Sequence, residues 1–207
     1  VYTVDLLGCG RSDKSSITYT NFVYVQMISD FIKKIIGQKT DVIASGFSGS
    51  FVTMACHNEK ELFNKIMLVN PPSLTQLKQM PNRKDRLLKA ALEIPIFGTL
   101  VYHMIVSRDN INNLFIEKMY YNPFHVDNQM ADAYYEAAHK GGYYTRFLYS
   151  SLAAKYININ ICHALKALDN SIYIVEGETE PNGKAVTDDY CASNPAIEVS
   201  VLKETKH

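Results

Sequence analysis

The sequence predicts an α/β fold, a mostly parallel sheet flanked by helices with a helical segment inserted into it. Three observations carry this reading. Short β-branched runs alternate with stretches of helical periodicity, which is the pattern of parallel crossover units. Positions 72–168 hold no convincing strand. Between them, the apolar run Val42-Ile43-Ala44 enters a turn of small residues, Ser45-Gly46-Phe47-Ser48-Gly49-Ser50, and a helical pattern follows.

In chain order, Val1–Val4 reads as a strand because it is β-branched and aromatic. Residues 18–36 form a helix, with Phe22, Val25, Ile28, Ile32 and Ile35 at three- and four-residue steps and Gly37 as its stop. Asp41–Ala44 is the strand before the turn and Ser50–Cys56 begins the helix after it. Lys65–Val69 is a further buried strand, ended by Asn70-Pro71-Pro72. Helices then dominate: Arg83–Glu93, Phe97–Val106, Asn110–Tyr121, Asp127–Lys140 with Asp127 as N-cap, and Tyr143–Tyr156. The tyrosine doublets at 120–121, 134–135 and 143–144 are read first as packing residues on helix faces, with the lining of an apolar cavity as the alternative. Ser171–Glu176 and Ile197–Leu202 return to strand, with a short helix over Thr187–Ser193 between them. The division expected is core at 1–71, helical lid at 72–168, and core again at 169–207.

Composition excludes several classes. Lysine plus arginine equals aspartate plus glutamate, 21 against 21, so no overall field favours nucleic acid or an anionic membrane, and only local basic patches are left open. The four cysteines, Cys9, Cys56, Cys162 and Cys191, form no C-x-x-C pair, which points to a reducing, cytoplasmic compartment and to no zinc site. The six histidines contain no H-E-x-x-H, and no metal or cofactor is expected. The longest nearly apolar run, Ile94–Val106, is too short to span a bilayer. Gly8 and Gly10 lack the third glycine of a dinucleotide fingerprint, since position 13 is Asp.

The turn at 46–50 has the Gly-x-Ser-x-small spacing that lifts a serine hydroxyl out at the end of a strand. In this reading Gly46 and Ser50 are small because a large side chain two residues from the nucleophile would block the turn. Ser48 is the candidate nucleophile, the Gly49 N–H faces a developing oxyanion, and Phe47 lies beside the substrate. A helix-capping serine in a glycine-rich turn is the alternative.

Three stretches together resemble the α/β-hydrolase superfamily, in its lid-bearing esterase and lipase-like branch. They are Asp5-Leu6-Leu7-Gly8-Cys9-Gly10-Arg11-Ser12, similar to a D-x-x-G-x-G-x-S loop, Gly46–Ser50, and Ile174-Val175-Glu176-Gly177-Glu178-Thr179-Glu180-Pro181, similar to a strand ending G-x-x-D-P. The resemblance implies Ser48 as nucleophile, Glu180 as acid and His207 as base, in the order Ser…Glu…His. Asp188 and Asp189 are the competing acids. It further implies that the family's first strands, one oxyanion donor and the helix after the histidine lie outside these 207 residues, so the span is expected to be poorly active alone. The implied activity is hydrolysis of carboxylic esters of small to medium apolar acyl groups through an acyl-enzyme. Acyl transfer, C–C bond hydrolysis on the same triad, and non-catalytic binding of a small molecule on the same scaffold are the alternatives.

Overall fold

A computed structural model describes every residue except Asp127 and His207, and the backbone alone at Asn128. The expected N-cap Asp127 and the expected base His207 therefore lie outside the described residues. In chain order the elements are α1 (Asn21–Phe31), β1 (Thr40–Ser45), α2 (Phe47–Asn58), β2 (Phe63–Val69), α3 (Leu74–Leu77), α4 (Arg83–Glu93), α5 (Pro95–Ile105), α6 (Arg108–Leu114), α7 (Asn128–His139), α8 (Thr145–Ala153), α9 (Cys162–Ala167), β3 (Ser171–Gly177), α10 (Gly183–Ser193) and β4 (Glu198–Leu202). Two compact units result. One comprises Asn21–Gln79 with Asn158–His207; the other comprises Val1–Thr20 with Met80–Ile157.

The first unit holds a four-stranded, all-parallel sheet in the order β1-β2-β3-β4. In register, Ala44 pairs with Leu68, Leu68 with Ile174, and Ile174 with Val199. Paired residues in a parallel sheet share a face, so Ala44, Ile66, Leu68, Ile172 and Ile174 form one buried surface. α2 packs on β1 and β2, and α10 packs on β3. α1 lies against α2, where Tyr24 stacks on Phe51 with ring centroids 4.9 Å apart.

α1 continues into a π-helical turn, Ile32–Ile36, closed by Gly37 at φ 73°, whose N–H donates to Ile32 O at 2.7 Å. That extra residue per turn breaks the expected apolar stripe. Val25, Ile28 and Ile32 are buried, whereas Ile35 is exposed, as is Phe22 at the other end. A second π-turn, Phe115–Met119, follows α6.

The second unit has no strand among its described residues. Val1–Val4, expected as a strand, is irregular and exposed, because β-propensity is realised only against a partner strand. The loop that follows is ordered by its own motif. Asp5 accepts from the Arg11 N–H at 2.9 Å, the Ser12 hydroxyl donates to Asp5 O at 2.6 Å, and the Gly8 N–H donates to Asp13 O at 2.9 Å. Gly10, at φ 48°, lies so close to the Asp5 carboxylate that a β-carbon would collide with it.

α4 begins with a capping box in which Asn82 and Asp85 satisfy each other's backbone N–H groups. Its packing against α8 centres on buried Arg146, which donates to Glu93 O at 3.3 Å, to Thr99 Oγ1 at 3.2 Å and to Tyr143 O at 2.5 Å. A cavity of about 510 Å³ in this unit is lined by Tyr102, Tyr134, Tyr149, Leu148 and Leu152, with Asp5 and Cys9. Tyr134 thus lines a cavity, the alternative reading of the doublets, while Tyr120 packs on Phe115 at 5.9 Å. No single helix among the described residues is long and apolar enough to cross a membrane. α4 and α5 pass that test only as a pair, bent by 96°.

Candidate active site

All four strands run the same way, so the turns after β1, β3 and β4 emerge at one edge of the sheet, where ligands of open parallel sheets bind. At the first of these turns, β1 remains hydrogen-bonded through its end. Ser45 pairs with Val69, and the Gly46 N–H donates to Val69 O at 2.9 Å. Gly46 then adopts φ 57°, ψ −132°, and α2 begins with Phe47. This backbone conformation carries the sharp strand-to-helix reversal, and it is open to glycine and costly for other residues. A β-carbon at Gly46 would meet nothing within 4 Å.

Ser48 therefore occupies the second helical position, not the apex of the turn. Its hydroxyl donates to Ser45 O at 2.6 Å, as Ser50 Oγ does to Phe47 O at 2.7 Å. The Gly49 N–H, expected to face an oxyanion, donates instead to Gly46 O at 3.1 Å inside the buried first turn. That expectation is corrected: the amides left without an intrahelical acceptor at the start of α2 are those of Phe47 and Ser48. A β-carbon at Gly49 would stand 3.1 Å from Leu68 Cδ2 on β2, so that side chain would have to give by a few tenths of an ångström. Phe47 is half-buried at the first helical position.

The turn after β3 carries Glu180, half-buried, with its N–H donating to Gly177 O at 3.1 Å. Hydrogen bonds stitch this turn to the end of β4 and the segment after it, the Thr179 hydroxyl donating to Thr205 O at 3.0 Å. The Glu178 N–H donates to Leu202 O at 2.9 Å, the Thr179 N–H to Thr205 O at 3.1 Å, and the Glu204 N–H to the Glu178 carboxylate at 3.1 Å. The loop of the expected acid thus lies beside the residues that lead to position 207. Asp188 and Asp189 are exposed on α10.

Two residues here were not anticipated. Asn70, at φ 43° after β2, is buried. Its N–H donates to Val175 O at 2.9 Å, and its Oδ1 accepts from the Gly177 N–H at 3.1 Å. Glu176 is buried on the same sheet face as Ile172 and Ile174, against Gly183 at the start of α10. Burial, and next the charge of Glu180, push the Glu176 carboxyl above the usual glutamate range. Its signal in the sequence is an acid at the third position of an apolar alternation, Ile172, Ile174, Glu176. Among the described residues no group of three His, Cys, Asp or Glu side chains could hold a metal ion.

No protein-family model and no curated protein sequence matches the chain. Solved structures do. A carboxylesterase from the thaumarchaeon Nitrososphaera gargenis superposes with TM-score 0.65 at 15% identity, covering 98% of this chain and 71% of that one. The 2-hydroxy-6-oxo-6-phenylhexa-2,4-dienoate hydrolase of Rhodococcus sp. strain RHA1 gives 0.71 at 16% identity, covering 98% and 71%. The chain has the α/β-hydrolase fold. A third α/β-hydrolase, a serine hydrolase involved in carbazole degradation, gives TM-score 0.74 at 14% identity over 98% of this chain and 70% of that one. An epoxide hydrolase is among the further α/β-hydrolase neighbours.

Proposed function

We propose that this α/β-hydrolase-fold chain hydrolyses a carboxylic ester or related carbonyl compound of small to medium apolar character, at the carboxyl edge of its sheet. The carboxylesterase and the other hydrolases that share its fold support the reaction class. The single observation that carries the mechanism is the glycine at the apex of the turn after β1. A side chain there would deliver the attacking atom; Gly46 leaves open space instead. In this reading water takes the place of the nucleophile. His207 removes its proton, held in orientation by Glu180, as the water oxygen bonds to the carbonyl carbon. The Phe47 and Ser48 amides receive the oxyanion. The imidazolium then protonates the departing alkoxide, giving acid and alcohol.

The same glycine favours a second reading, non-covalent binding of the apolar carbonyl compound without turnover. One experiment separates the readings: fluorophosphonate labelling of the wild-type chain and of Ser48→Ala, beside turnover of p-nitrophenyl esters of graded chain length. Turnover without labelling supports attack by water. Labelling that disappears in Ser48→Ala would overturn it in favour of the Ser48–Glu180–His207 triad. Ligand binding with neither labelling nor turnover leaves the binding protein.

A further inference from the structure

We propose that α4 and α5 form a peripheral docking face for an anionic lipid surface. α5 is apolar on its solvent side. Ile96, Leu100 and Met104 follow one another at four-residue steps and so share a stripe, and they are 87%, 60% and 64% exposed. Phe97 and Ile105 are exposed on the same helix. α5 has no acidic or basic residue apart from His103.

Charge identifies the partner. Arg83, Lys84 and Arg86 are exposed in the first turns of α4, and no ion pair joins them among the described residues. The carboxylates of α4 are engaged inward. Asp85 closes the capping box and pairs with Lys155 at 3.2 Å, and Glu93 pairs with Lys89 at 2.5 Å. Exposed α4 is therefore a cluster of uncompensated cations, with exposed Leu87 and Leu88 beside them.

The corner between the helices is fixed. Ile94 precedes Pro95 in an extended conformation, and Gly98 lies so close to Leu92 O that a β-carbon would collide with it. A helix pair that joins an exposed apolar helix, through a fixed corner, to a helix opening with uncompensated cations has the composition of an interfacial, not a spanning, element. A second copy of the chain fits less well, because a two-fold contact through this face would bring like charges together.

The test is flotation of the full chain with phosphatidylcholine vesicles, with and without phosphatidylserine, for wild type, Leu100→Glu, and the triple variant Arg83→Gln/Lys84→Gln/Arg86→Gln. Circular dichroism checks that each variant keeps its helix content. Binding is expected only with phosphatidylserine, weakened by salt, abolished in Leu100→Glu and about a hundredfold weaker in the triple variant. Binding that ignores phosphatidylserine or survives Leu100→Glu overturns the proposal. So does a chain that ignores both vesicles, including one that self-associates and is dispersed by Leu100→Glu. None of these outcomes depends on whether the chain turns over an ester.

Discussion

The carboxyl group of Glu176 rests against the backbone of Gly183, with no room between them for a β-carbon. A strand-borne acid and the first residue of α10 are thereby locked together beneath the turn that carries Glu180. Replacing Gly183 with Ala forces one of them to move. The expected loss is about 1–3 kcal/mol of stability, read as a lowered urea midpoint with an unchanged slope.

Glu176 also gives the fold a pH dependence of definite sign. Unfolded, its carboxyl ionises in the ordinary range near ~4.3; folded, burial holds its ionisation higher. The native state therefore binds more protons across that interval, and the contribution of Glu176 falls as pH rises from the ordinary range to the folded value. Glu176→Gln removes this decline. Its melting temperature relative to wild type should rise from pH 4 to pH 8; a constant difference across that range would show that Glu176 does not titrate in the fold.

At the apex of the elbow, Gly46→Ser tests whether the remaining machinery is competent. The backbone at φ 57°, ψ −132° should cost about 1–3 kcal/mol for a residue with a side chain, with no steric penalty to add. If Glu180 and His207 converge on the apex, the variant gains fluorophosphonate labelling. A variant that folds and stays unlabelled would show that they do not.

Ser48 is predicted to be structural. Ser48→Ala loses the hydrogen bond to Ser45 O and about 0.5–1.5 kcal/mol of stability, while ester turnover per folded molecule stays unchanged. A drop in turnover of about a hundredfold or more would return the nucleophile to Ser48.

Asn70 joins β2 to β3 twice, through its N–H and through its side chain. Asn70→Ala leaves the buried Gly177 N–H unpaired and strains the backbone at φ 43°. Together these should cost about 2–4 kcal/mol. Asn70→Gly restores only the backbone freedom, so equilibrium unfolding of the two variants measures each part separately.

β1, β2 and β3 were legible because each contains an unbroken apolar run, Val42–Ala44, Ile66–Val69 and Ile172–Val175, next to turn residues, and β4 because Val199 and Val201 alternate with polar residues. Val1–Val4 misled for the converse reason: its composition is that of a strand, but pairing is a tertiary fact. The elbow was legible as a turn and not in its register. Gly46 suits both the position two before a nucleophile and the apex itself, and only the continuation of β1 pairing through Ser45 and Gly46 chooses between them. Glu176 stayed hidden because an acid near a strand end reads as solvated until α10 is seen to cover it.

The π-helical turns at Ile32–Ile36 and Phe115–Met119 each hold one residue more than an α-helical turn. They are the points at which this backbone absorbs an odd residue. Deleting one amino acid within 32–36 would restore regular helix with the flanking side chains still in phase, whereas a deletion in regular α-helix would swing them by roughly 100° relative to one another. A single-residue deletion is thus expected to cost less at the tail of α1 than within the elbow, where the strand-to-helix reversal depends on the exact register.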